Sequence, residues 1–144
     1  MPVIACLGWG SLIWNPKQLL VPASWEPDGP QVRVEFLRKS DKGRGRVTLV
    51  LDASAELVTS MWALMTTTDL PAAIESLRAR EIIPVSNVER DIGVWRGGDG
   101  SPPSIPDLSE WARRKSLDAV VYTNLGRNFI TTFVLPAWMR LSAT

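Results

Sequence analysis

Two stretches of this sequence bring together residue types that could do chemistry. The first is residues 8–14, GWGSLIW. A strand ending in Gly8, Trp9, Gly10 and Ser11 exposes several backbone N–H groups with few side chains in the way. Such a turn can form a concave anion site or a donor pair for a carbonyl oxygen. Ile13 stands where a dinucleotide fingerprint has its third glycine, and no Gly-Lys-Ser/Thr follows, so neither of those phosphate cradles is written here. A plain glycine turn between two core elements gives the same pattern. Trp9 and Trp14 flank the turn and could wall a pocket, while Leu12 lies within it.

The second is Glu81. Leu70, Ile74 and Leu77 recur at helical spacing, and Glu81 returns to the same face at about 100° per residue. A carboxylate on an apolar stripe near a helix C-terminus is disfavoured as an anion by desolvation and by the helix dipole. Its pKa should rise, which suits a general acid or base working near neutrality. A helix that frays at Arg80 would instead leave Glu81 in solvent.

Composition narrows the remaining chemistry. The 144 residues include one cysteine and no histidine, so no Ser-His-Asp or Cys-His nucleophile pair and no His-ligated metal can be built from this chain. Cys6 allows no internal disulfide, and its place in an apolar strand reads as a buried, inert thiol. No metal and no cofactor is expected. Sixteen Lys+Arg against fifteen Asp+Glu give a net charge of +1, a balance that argues against a nucleic-acid partner. Arg38, Lys39, Lys42, Arg44 and Arg46 cluster around one turn; a solvated turn or a phosphate contact would both use them. Arg113, Arg114 and Lys115 read as complementing a helix dipole. Residues 1–16 carry no charge but are too short to span a bilayer, so no membrane is expected and a cytoplasmic location is the natural expectation.

These groups need elements to hold them. Residues 3–7 (VIACL) predict a buried strand, and residues 31–37 (QVRVEFL) a half-buried one by their alternation. With residues 46–51 the latter forms a hairpin across a turn at 40–45. Residues 56–66 supply one further strand containing Trp62. Asp69 is the expected N-cap of a helix running to Arg80 or Glu81, with Pro71 in its first turn. Residues 92–95 read as a short strand and 97–106 as a loop. Asp107 with Glu110 resembles a capping box opening a helix through Lys115, and 119–123 is a final strand. The order predicts one domain of mixed α+β class over residues 1–144, with a small, largely antiparallel sheet or barrel.

Taken together, these pieces resemble the gamma-glutamylcyclotransferase superfamily, most nearly its ChaC-type branch. That branch carries a Tyr-Gly-Ser-Leu-Ile-Trp type motif after its first strand, and here Trp9-Gly10-Ser11-Leu12-Ile13-Trp14 stands in that position. Ser40-Asp41 and then Arg44-Gly45-Arg46-Val47-Thr48-Leu49-Val50 follow the family's next stretch with altered spacing, and Met61-Trp62-Ala63 matches its tryptophan strand loosely. A helix ending Leu-x-x-Arg-Glu is matched by Leu77-Arg78-Ala79-Arg80-Glu81. The resemblance covers roughly residues 3–81. It implies a cofactor-free enzyme that turns a gamma-glutamyl amine or peptide, such as a glutathione-like compound, into 5-oxoproline and free amine. Glu81 would be its acid/base and Gly8, Trp9, Gly10, Ser11 and Leu12 would bind substrate. Trp9 replaces the motif tyrosine, Ile82-Ile83-Pro84 replaces the usual Gly-Tyr, and residues 124–144 diverge from the family or shorten it. A non-catalytic small-molecule or protein-binding module of the same fold is the alternative.

Overall fold

The computed structural model describes residues 2–9, 11–22, 24–39 and 47–124. Its centre is β1, Ile4–Gly8, whose five residues are all buried. Strand β5, Met61–Leu64, pairs with it antiparallel, setting Cys6 against Ala63 and Gly8 against Met61. Strand β7, Ala119–Thr123, pairs parallel on the other side, with Cys6 against Val121. Strand β6, Ile92–Arg96, follows the short helix α3, Val88–Asp91, and completes the sheet antiparallel to β7, in the order β5-β1-β7-β6. The two inner strands are near-continuous apolar runs because both of their faces are covered.

Period-two alternation sorts the side chains to those faces. Ile4, Cys6, Val121 and Ile92 meet Ala73 and Leu77 of the helix α2, Leu70–Glu81, together with Leu12 and Leu19. On the opposite face Ala5, Leu7, Val120, Tyr122 and Trp95 meet Leu108, Trp111 and Ala112 of the helix α4, Leu108–Arg114. Val32 and Leu51 join that second cluster from a three-stranded sheet. In it β2, Gln31–Lys39, lies between β3, Val47–Leu51, and β4, Leu57–Thr59. The class is mixed α+β, and four of the five strand pairings among the described residues are antiparallel. Among the described residues the sheets stay open rather than closing into a barrel.

The expected single strand over 56–66 is two strands in different sheets. Ser60 turns the chain between them. Its N–H and its hydroxyl both donate to the Pro30 carbonyl, at 3.1 and 2.7 Å, and its own carbonyl accepts the Gly29 N–H at 3.0 Å. Gly29 has to be glycine, since a Cβ there would sit 2.5 Å from the Ser60 hydroxyl and 2.6 Å from its carbonyl oxygen. The hairpin of β2 and β3 forms with a register shift between Phe36 and Arg38. Its turn, with Lys42, Arg44 and Arg46, lies outside the described residues, as do Gly10 and residues 125–144.

Both expected caps sit at the right residue without the expected bond. Asp69 precedes α2, but its side chain makes no capping hydrogen bond. Asp107 precedes α4, yet its carboxylate accepts the N–H of Gln31 at 3.1 Å, satisfying the first residue of β2 instead of the helix. Lys115 does more than complement a dipole. Its ammonium bonds the Asp28 carboxylate at 2.6 Å and lies 5.4 Å from the centre of the Trp62 ring. The Trp62 and Trp111 indoles donate to the Asp28 carboxylate and carbonyl, at 2.7 and 2.9 Å, and the two rings meet edge to face. No helix among the described residues is long and apolar enough to cross a membrane.

Candidate functional site

Glu81 is the last residue of α2, and the way that helix ends determines where its carboxylate lies. The Ile82 N–H bonds the Ala79 carbonyl and the Ile83 N–H bonds the Arg78 carbonyl, at 3.3 and 3.1 Å. This pair of bonds stops the helix sharply, with residue 82 in the left-handed region, φ 55° and ψ 46°. The position is usually glycine; here a β-branched, exposed isoleucine holds it. Ile83 then tucks into the core, and its carbonyl accepts the Arg78 guanidinium at 2.9 Å. Glu75 pairs with the same guanidinium from the outer face. The helix therefore does not fray at Arg80.

The buried row of α2 is Ala73, Ser76, Leu77 and Arg80, with Leu70 and Ile74 half-buried beside it. The expected stripe is rotated by part of a turn, because the small Ala73 and Ser76 let the helix press close to the sheet. Glu81 stays at the margin of that contact, its side chain 17% exposed, while Arg80 is 9% exposed. The Arg80 Nη1 donates to Glu81 Oε1 at 2.9 Å, and the Arg80 Nε donates to the Asn15 carbonyl at 2.8 Å. Beneath them is Cys6. Burial pushes its thiol well above the usual range, and the negative charge of Glu81 adds to the rise. The thiol donates to the Leu7 carbonyl and is inert, as its apolar strand implies.

Of the Gly8–Leu12 residues, Gly8 and Leu12 serve the core and Trp9 the opposite face, so none of these three joins Glu81. Gly8 ends β1, buried under two side chains: a Cβ there would lie 2.6 Å from the Trp25 ring and 2.8 Å from the Ile13 methyl. It is a glycine for packing rather than an open turn. The next helical element is the single turn α1, Ser11–Trp14, which the glycine pattern does not announce. Leu12 is buried in the cluster that holds Cys6 and Leu77, so its side chain serves the core. Trp9 follows the parity of Ala5 and Leu7 and packs with the opposite cluster, so it does not wall the Glu81 side. The hydrogen bond from Arg80 to Asn15 still ties the end of α2 to the residue directly after α1.

Two features lie beyond what the sequence signalled. The Trp25 indole N–H is buried with no hydrogen-bond partner among the described residues, beside Gly8. On the other face, Val94, Trp95, residues 99–102 and Tyr122 line an open cleft of about 460 Å³. The Tyr122 ring covers Gly93, its partner across β6 and β7, and burial, then the Asp99 charge, raise its phenol pKa. Of the residues lining the cleft, Val94 packs with the cluster beneath α2 and Trp95 and Tyr122 with the opposite one. Among the described residues no three His, Cys, Asp or Glu side chains converge as a metal-binding set. No family model, curated protein or solved structure matches this chain.

Proposed function

We propose that this chain is a gamma-glutamylcyclotransferase-like enzyme acting in the cytoplasm on a small gamma-glutamyl amine or peptide, without a cofactor. The observation that carries the reading is the Glu81 carboxylate: largely buried, at a helix C-terminus, above β1, and linked through Arg80 to the residue following α1. A carboxylate in that place opposes the helix dipole and would cost stability on an ordinary helix.

In this reading the substrate supplies its own nucleophile. Its alpha-amine attacks its gamma-carbonyl, the ring of 5-oxoproline closes, and the bond to the departing amine breaks. Glu81 takes a proton from the alpha-ammonium and returns one to the leaving nitrogen. The protein need only hold a near-attack conformation and move those protons. Backbone amides of Gly10, Ser11 and Leu12 would receive the developing oxyanion.

The test is release of 5-oxoproline from glutathione and a panel of gamma-glutamyl amines by the purified protein. Glu81→Gln should lower kcat by about 10²–10⁴-fold. Full activity in that variant removes Glu81 from the reaction, and no turnover of any gamma-glutamyl compound ends the reading. The rival, a binding module of the same fold, draws on the cleft beneath Tyr122 on the opposite face. It predicts ligand binding with no 5-oxoproline, indifferent to Glu81→Gln.

A further inference from the structure

The buried guanidinium of Arg80 needs its own account. Neighbouring residues on a helix point about 100° apart and do not ordinarily pair. Arg80 and Glu81 pair because the chain breaks sharply at Ile82, which lets the carboxylate fold back against the preceding side chain. The same planar group uses a second nitrogen on the Asn15 carbonyl, 65 residues away in sequence. Arg78 on the same turn does a different job: it closes the helix end through Glu75 and the Ile83 carbonyl. One arginine braces the helix terminus, and the other spans the gap between the carboxylate and the loop that follows α1.

We infer that Arg80 is a positioning residue, a two-pronged strut that holds the Glu81 carboxylate in one orientation and fixes it relative to residues 11–15. The inference rests on the catalytic reading of Glu81 for its purpose, but not for its test. A rigid guanidinium suits this role where an ammonium would not, because its N–H groups diverge in a fixed plane toward two acceptors. Facing the carboxylate are the Arg80 guanidinium from α2 and, from β1, the uncharged Cys6 thiol, which burial keeps protonated.

The side-chain carboxyl resonance of Glu81, assigned by its loss in Glu81→Gln, is followed by NMR against pH in the wild type, Arg80→Met, Arg80→Lys and Arg78→Met. Arg80→Met should raise the Glu81 titration midpoint by about one pH unit or more, and shift the backbone amide resonances of Leu12, Ile13 and Asn15. Arg80→Lys keeps a positive charge but should reproduce the amide shifts, since one ammonium cannot bridge both acceptors in the same geometry. It also serves if Arg80→Met does not fold. An unmoved Glu81 midpoint in Arg80→Met overturns the inference. So does Arg78→Met moving that midpoint equally far, which would assign the effect to the helix end as a whole. If the wild type releases 5-oxoproline, Arg80→Met should lower kcat by about tenfold or more with KM nearly unchanged. If it releases none, the enzymatic reading fails, while the titration and amide shifts still decide the strut.

Discussion

Helices α2 and α4 end in the same way, with basic residues in the last turn of each, but place opposite charges on the residue before the left-handed one. In each, two backbone bonds close the terminus: Ile82 to Ala79 and Ile83 to Arg78 in one, Ser116 to Arg113 and Leu117 to Ala112 in the other. Each puts a non-glycine residue in the left-handed region, φ 55° at Ile82 and 58° at Ser116. Each then buries an apolar residue, Ile83 or Leu117. The residue before the left-handed one is Lys115 in α4 and Glu81 in α2. Lys115 complements the helix dipole and reaches an exposed partner, Asp28. Glu81 opposes the dipole and is largely buried, its ion pair made with a neighbour that has to be buried with it. One terminus obeys the rules of helix stability; the other breaks one where the breach is most costly. Such local violations are expected at functional sites rather than elsewhere.

The largest difference should appear when each cation is removed. Taking away one partner of a buried pair typically costs about 3–5 kcal/mol. Exposed pairs contribute about 0–1 kcal/mol. Arg80→Met should therefore lower the free energy of urea unfolding by several-fold more than Lys115→Met. Equal losses would mean that the two ends are energetically alike and that burial of the Glu81 pair carries no penalty.

A smaller contrast tests the shared backbone. A left-handed conformation costs an L-residue about 1–2 kcal/mol, more for a β-branched one, and glycine returns about 0.5–1 kcal/mol of that through its freer unfolded chain. Ile82 is exposed, so little packing is lost with its side chain. Ile82→Gly should stabilise the protein by about 1 kcal/mol, and Ser116→Gly by a few tenths at most, read as shifts in thermal midpoint. The reverse order would show that the isoleucine is held without strain.

The α2 end was also the part of the site most legible in the sequence. Helical spacing of Leu70, Ile74 and Leu77 located the helix, though the buried row is Ala73, Ser76, Leu77 and Arg80 and Glu81 lies at its margin. What spacing could not supply was Arg80. A charged residue on a buried row looks like an error until its partners are known, and Asn15 lies 65 positions away. The same holds elsewhere. Residues 56–66 read as one continuous strand, so only the bonds from Ser60 to Pro30 reveal that the chain changes sheets there. Asp107 has the side chain of a cap, but the unpaired N–H of Gln31 competes for it across the fold. Gly8 reads as an open turn because the Trp25 ring above it is distant in sequence. Elements whose pattern is local were legible. Side chains that answer to a distant partner were not.

The smallest effect belongs to the exposed end, and its direction is fixed by linkage. The Lys115 ammonium, then the Trp62 indole, hold the Asp28 carboxyl below its ordinary value in the folded protein. The unfolded chain thus takes up this proton at a higher pH than the folded one does. The stability it contributes is complete above the unfolded value of about 3.9, and drains away as pH falls through the lower folded value. In Asp28→Asn the uncharged amide cannot follow that course, so the variant's urea midpoint should fall less steeply than the wild type's as the pH drops below about 4. Added salt should shrink the gap, because the pair is open to solvent. Salt should leave the cost of Arg80→Met nearly intact, since screening reaches a buried pair weakly. If salt erased both effects alike, the Arg80–Glu81 pair would be as wet as its counterpart, and the contrast between the two helix ends would lose its electrostatic basis.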